Sequence, residues 1–170
     1  MSRAGDGSLS GMTVTIALEP VDSADGVALV RACFADIIGR ALGRPVTATE
    51  LDAALAADPA DGLSAPTGWF AVARSAGEPA GCVGVKRVSD DTGELQRFFV
   101  APAFRGAGTG SALLAFAEQT ARERGLSVLR LDTRSDLVEA GRRFAARGFT
   151  PVTPFNTDPH VDRWLAKRLT

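Results

Sequence analysis

The sequence predicts a mixed α/β (α+β) domain, built on a mostly antiparallel central sheet of six to seven strands with about four helices on its faces. Three observations predict it. Between Trp69 and Val100, apolar runs follow one another across short turns, the mark of an antiparallel meander. After Val100 the pattern changes to helix, strand, helix and strand, so a helix-bearing unit joins the same sheet. The chain has 170 residues, and at about 150 residues per domain that is one domain burying roughly 70% of its unfolded surface. Residues 1–12 are Gly/Ser-rich at their start and read as a flexible tail, which leaves 13–170 for the domain.

Each element has its own signal. Thr13 to Leu18 alternates and reads as a first strand. Asp22 or Ser23 caps a helix to about Arg40, with Val27, Val30, Phe34, Ile37 and Ile38 as its apolar stripe. Thr49 to Ala57 reads as a short second helix, and Pro59 to Gly68 as a loop. Trp69 to Ala73, Gly81 to Val88 and Glu94 to Val100 are the meander strands, with turns at Gly77-Glu78-Pro79 and Ser89 to Gly93. A helix carrying Leu113, Leu114, Ala117 and Ala121 runs from about Gly108 to Arg124, and Gly125 stops it. Ser127 to Leu131 is a strand, and Leu137 to Arg147 is a helix ended by Gly148. Phe149 to Thr153 and Val161 to Leu169 read as closing strands, the last of which could support a homodimer.

Composition excludes whole classes of function. Apolar residues are 45% and charged residues 23%, which rules out a disordered, collagen-like or disulfide-stapled chain. Lys plus Arg is 19 against 20 for Asp plus Glu, so no general charge drives the chain toward nucleic acid or an anionic membrane. There are nine Phe but no Tyr, which removes any mechanism that needs a phenol. His160 is the one histidine, so a histidine-rich metal site is excluded. Cys33 and Cys82 stand apart in apolar segments and read as buried, reduced small hydrophobes. No apolar run approaches the length of a membrane span, and the N-terminus has no signal-peptide core, so the expected location is cytoplasmic.

The chemistry is expected in the loop from Val100 to Ser111. Gly106, Gly108 and Gly110 are costly at a helix start unless the backbone needs unusual dihedrals or a close approach. Free N–H groups there, with the positive end of the helix dipole and the charge of Arg105, make a cradle for a phosphate or pyrophosphate. A Gly-rich turn without a ligand is the plainer reading of the same glycines. A Walker loop fails, because no Lys lies between Gly110 and Ser111. A dinucleotide fingerprint is incomplete: Gly106 and Gly108 supply its first two glycines, but position 111 is Ser, although Asp132 stands about 20 residues on.

The arrangement resembles the GNAT N-acetyltransferase superfamily, specifically its small bacterial single-domain members. Val100-Ala101-Pro102 precedes Arg105-x-x-Gly108-x-Gly110 at that family's spacing. Glu94-Leu95 opens the strand, Leu113-Leu114 follows in the helix, and Gly148-Phe149 follows a later helix. The likeness is specific from Glu94 to about Pro154. It implies a GNAT-like acyl-CoA fold and an acetyl-CoA-dependent N-acetyltransferase acting on a primary amine of a small-molecule or amino-acid-like acceptor. It also implies that the strand before the loop splays from its neighbour. The pantetheine arm of coenzyme A would then lie against Phe98, Phe99 and Val100. The backbone of Arg105, Gly106, Ala107, Gly108, Thr109, Gly110 and Ser111 would hold its pyrophosphate.

The resemblance also assigns roles. Glu94, six positions before Val100, is the candidate base that takes the acceptor's proton, and its plainer role is a surface Glu after a turn. Asp132 is the second candidate, or a cap for the turn that follows it. The family's general-acid Tyr falls on Phe144 and its frequent Asn on Leu137, so the phenol role is vacant. Water, or Ser135, His160 or Cys82, would then protonate the leaving thiolate. A non-catalytic acyl-CoA-binding module is the alternative reading. Arg87 and Arg97 stand as charges in apolar strands, where either meets an acceptor carboxylate or, more plainly, a solvated edge or a pair with Glu94. In the family the acceptor is set by the segments matching residues 22–57 and 154–160.

Overall fold

The computed structural model describes residues 13–170, and the expected tail at 1–12 lies outside the described residues. Its strands are β1 (Val14–Leu18), β2 (Gly68–Ser75), β3 (Glu78–Arg87), β4 (Thr92–Val100), β5 (Val128–Thr133), β6 (Thr150–Pro151) and β7 (Arg163–Arg168). Its helices are α1 (Ala24–Leu42), α2 (Ala48–Ala57), α3 (Thr109–Glu123) and α4 (Val138–Ala146). The strands form one seven-stranded sheet in the order β1-β2-β3-β4-β5-β7-β6. All pairings are antiparallel except that of β4 with β5.

Local chemistry sets most boundaries. Ser23 caps α1 by accepting from the Gly26 N–H at 3.0 Å. Thr47 and Glu50 form a reciprocal capping box at the start of α2. The β2–β3 hairpin turns through Ala76 and Gly77, both at positive φ (50° and 81°), the backbone a tight two-residue hairpin requires. Pro79 therefore lies inside β3 rather than in the turn.

β2 is a continuous apolar run because both its faces are buried. Trp69, Ala71 and Ala73 face a core shared with Leu113, Leu114, Ala117 and Ala121 of α3 and with Phe144 of α4. Phe70 and Val72 face a second core with Leu29, Val30 and Cys33 of α1. Leu113 and Leu114 are fully buried, and each contributes about 2–3 kcal/mol by removal from water.

Two irregularities of β4 position the site. Gln96 pairs with Gly84 and Phe99 with Cys82, so β4 carries an extra residue there. That segment includes Arg97 at φ 56°, a left-handed backbone that glycine adopts freely and other residues rarely do. The bulge flips the side-chain phase: Leu95 packs in the α3 core, while Phe99, which strict alternation would put beside it, packs in the α1 core. The second irregularity is the parting of β4 from β5. They pair only from Thr92–Val128 to Glu94–Arg130, and beyond that rung they diverge.

The closing strands differ from expectation. The Phe149–Thr153 run yields only the two residues of β6, since Pro151 lacks a backbone donor. β7 inserts between β5 and β6, so the last strand is not the outermost one.

Candidate active site

A cleft of about 500 Å³ opens along β4 beyond its last rung with β5, between α1 and α4. Its floor is Phe98, Phe99 and Val100, and one end is the loop before α3. That loop ends in Gly108 at φ 84°, which is the N-cap of α3 and offers no side chain to the helix. The first intrahelical bond runs from the Ala112 N–H to the Gly108 carbonyl at 3.0 Å. The N–H groups of Thr109, Gly110 and Ser111 precede it and have no partner within the helix. A Cβ at Gly106 or Gly108 would meet nothing within 4 Å, so the loop borders open space. Thr109 is 2% exposed, lines the cleft, and its Oγ1 has no partner among the described residues. A buried, unpaired hydroxyl beside free N–H groups fits an anionic group such as a pyrophosphate.

Eight of the expected cofactor residues line this cleft: Phe98, Phe99, Val100, Arg105, Gly106, Gly108, Thr109 and Gly110. Ala107 and Ser111 do not, and the Ser111 hydroxyl accepts from Arg143 at 2.7 Å. Arg105 is fixed by its Nε bond to the Val100 carbonyl at 3.0 Å and by Asp36 at 3.4 Å. Both side walls of the cleft come from residues outside the expected cofactor set. One is Cys33, Asp36, Ile37 and Arg40 of α1, and the other is Leu137, Glu139, Ala140 and Arg143 at α4. The α1 set has i, i+3, i+4, i+7 spacing, so one helical face carrying Asp36 and Arg40 among apolar residues was the available signal.

Glu94 lies on the last shared rung of β4 and β5, outside the cleft lining. It is mostly buried and ion-paired with Arg130 at 3.1 Å, while Gln96 Nε2 donates to its other oxygen at 3.2 Å. The Arg130 guanidinium lies over the Phe155 ring at 4.1 Å. Asp132 stands two residues further along β5. It accepts from Asn156 at 2.6 Å, and Asn156 accepts from Trp164 Nε1 at 3.0 Å. Burial pushes the Asp132 carboxyl above the usual range, the Asn156 bond works against that, and the negative charge of Glu94 adds to it.

Other expectations resolve differently. Arg97 pairs with Asp58 at 3.3 Å, not with Glu94, because the bulge turns it toward α1. Arg87 donates to the carbonyls of Asp90 and Arg124. Asp132 is held by Asn156 rather than serving as a turn cap. His160 is exposed, with its N–H on Asp158, and Ser135 donates to Asp162 at 2.6 Å. Both cysteines are free and buried, and burial pushes the Cys33 thiol up to about 12. Phe144 is 4% exposed and packs against Phe98 and Phe149, with ring centroids at 5.4 and 5.9 Å.

Comparison with known proteins bears on this geometry. The model of the acetyltransferase (GNAT) family matches residues 34–149, which include the loop, the bulged strand and α4. The chain belongs to the GNAT acetyltransferase family. This GNAT protein is 37% identical over 103 residues to an IAA acetyltransferase of Azospirillum brasilense, covering 57% of this chain and 66% of that relative. It superposes on an assigned acyl-CoA N-acyltransferase of Klebsiella pneumoniae with TM-score 0.73 and 26% identity, over 94% of this chain and all of that one. It also shares its fold with the PaiA N-acetyltransferase of Thermoplasma acidophilum, solved with coenzyme A, at TM-score 0.71 and 14% identity over 92% and 99% of the two chains. The family makes the GNAT protein an acyltransferase and sets aside the dinucleotide-binding alternative. No helix among the described residues is long and apolar enough to cross a membrane.

Proposed function

We propose that residues 13–170 form a single cytoplasmic domain that uses acetyl-CoA to acetylate a primary amine of a small-molecule or amino-acid-like acceptor by direct attack. The observation that carries this reading is the cleft along β4 beyond its last rung with β5, with unpaired N–H groups and the orphan Thr109 hydroxyl at its anion-binding end. Bound acetyl-CoA supplies the acetyl group as an activated thioester. The N–H groups of Gly106 to Ser111 hold the pyrophosphate at the helix N-terminus, and Arg105 adds its charge. Beyond Glu94 the β4 edge facing β5 has no ladder partner, so its backbone is free to orient the pantetheine arm and polarise the acyl carbonyl.

Glu94 takes the proton of the attacking amine, which must be neutral to react. Arg130 and Gln96 hold the Glu94 carboxylate in place. Phe144 cannot donate a proton and is walled off behind Phe98, so water protonates the leaving thiolate, whose thiol pKa is near about 8.5.

The test combines binding and turnover. Titration calorimetry with coenzyme A should show binding to the wild type and none to Gly108→Glu, which fills the cradle with a negative charge. Thiol release from acetyl-CoA should rise above the enzyme-free rate for some member of a panel of amines, with IAA run beside the panel as a non-amine candidate because of the Azospirillum relative's name. Affinity that survives Gly108→Glu would misplace the site. A panel in which every acceptor stays at the enzyme-free rate would sink the amine reading.

A further inference from the structure

The cleft holds three arginines, and they are not balanced alike. Arg40 and Arg105 share the Asp36 carboxylate, at 3.3 and 3.4 Å. Arg143 of α4 has no carboxylate partner among the described residues; its polar contact is the neutral hydroxyl of Ser111, at 2.7 Å. Its side chain lies flat on the first turn of α3. A Cβ at Gly110 would stand 2.7 Å from Arg143 Cδ and Nε, so only glycine at 110 lets the guanidinium approach this closely.

That placement is electrostatically unfavourable as it stands. The N-terminus of α3 carries the positive end of the helix dipole, and a cation there costs free energy instead of gaining it. Arg105 adds a second positive charge to the same cleft. An anion between them reverses the sign of each of these terms. Thr109 lines the same cleft, and its buried Oγ1, without a partner among the described residues, is a polar group that a ligand could satisfy.

We infer that Arg143 is a cofactor-binding residue that reaches from α4 to the pyrophosphate of coenzyme A, closing the anion cradle from the side opposite Arg105. This rests on the acetyl-CoA reading and deepens it, since it makes the cofactor bridge α3 and α4. Arg143 directly precedes Phe144, whose ring packs on Phe98 of the cleft floor and so anchors the segment that carries Arg143.

The experiment compares three thioester ligands that differ in phosphates: acetyl-CoA, acetyl-dephospho-CoA and S-acetylpantetheine. Arg143→Gln should weaken binding of the first two by about tenfold or more, the scale of a lost charge-assisted bond, and leave the third within about twofold. Arg143→Lys should recover part of the loss. Circular dichroism and melting temperature confirm that each variant is folded. An equal loss on S-acetylpantetheine would overturn the inference, because Arg143 would then only shape the cleft. A loss confined to acetyl-CoA would overturn it too, by moving the contact to the 3′-phosphate, as would no loss at all. A wild type that does not prefer acetyl-CoA to S-acetylpantetheine would instead strike the underlying cofactor reading.

Discussion

Glu94 and Arg130 meet at 3.1 Å across the last rung that β4 and β5 share. The ion pair therefore stands where the sheet begins to open. Glu94→Gln keeps the size and the hydrogen-bonding oxygen but cannot take a proton. Its kcat is expected to fall by about 10² or more, with affinity for coenzyme A unchanged, as steady-state kinetics and calorimetry will show. Arg130→Gln removes the contact that positions Glu94, together with the stacking on Phe155, but leaves the base itself, and is expected to cost less, up to about tenfold in kcat.

Asp132 separates the two candidate bases. Its carboxyl is raised, chiefly by burial, so the folded state binds that proton more tightly than the unfolded chain does. The resulting stabilisation is present below the unfolded pKa of about 3.9 and is lost as pH rises through the folded value. At neutral pH the ionised form is thus a liability. Asp132→Asn keeps an acceptor for Asn156 and removes the charge. It is expected to be at least as stable as the wild type at pH 7, with the difference shrinking toward pH 3. A kcat within about threefold of wild type leaves Glu94 as the base, and a loss near 10² would transfer the role.

Arg97 permits a clean separation of backbone strain from side-chain contacts. Its φ of 56° costs a non-glycine residue about 1–2 kcal/mol. The guanidinium offsets this by lying over Phe34 at 4.7 Å and by bonding the Asp58 carbonyl at 2.9 Å and its carboxylate at 3.3 Å. Arg97→Ala and Arg97→Gly lose the same contacts, but only Gly escapes the strain. Chemical denaturation is expected to find Arg97→Gly more stable than Arg97→Ala by about 1 kcal/mol, the reverse of the order in an ordinary strand. Equal stabilities would mean the bulge relaxes in the variants.

The contrast among these residues explains what the sequence could reveal. The loop from Arg105 to Gly110 is legible because its chemistry is local: glycines, a fixed spacing and a following helix. The meander is legible because its turns are short. The bulge is not, because it falls on Gln96-Arg97 with no Gly or Pro, and its supports, Phe34 and Asp58, come from far along the chain. The Arg130 partner of Glu94 depends on a parallel rung between strands separated by a whole helix. Arg143 is invisible for another reason: in an amphipathic helix an Arg reads as solvated face, and only the packing of α4 on α3 aims it inward.

Glu118 is likewise unreadable from sequence, since a lone Glu in a helix is ordinarily exposed. Here it is 0% exposed on α3, with Arg147 at 2.9 Å, Lys167 in contact and Arg122 at 3.9 Å. Burial alone would push its carboxyl up, but the hydrogen bonds and charges of Arg147 and Lys167 outweigh it and hold it below the usual range. A lowered folded pKa contributes stability above the unfolded value of about 4.3 and loses it as pH falls through the folded one. Glu118→Gln is expected to cost about 2–3 kcal/mol at pH 7. It should also flatten the loss of stability between pH 5 and pH 3, which thermal melts across that range will measure.

Phe144→Tyr tests the vacant phenol position directly. The ring is 4% exposed, enclosed by Phe98 and Phe149, and absent from the cleft lining. A new hydroxyl there enters an apolar core, and an unpaired buried hydroxyl costs about 1–3 kcal/mol. The variant is expected to melt lower and to show no gain in kcat, because Phe98 stands between the ring and the cleft. Should the packing instead let the hydroxyl reach the thiolate, kcat would rise, most clearly with weakly reacting amines, for which expulsion of the thiolate limits the rate. A rise of that kind would show that proton delivery was the step this chain had left to water.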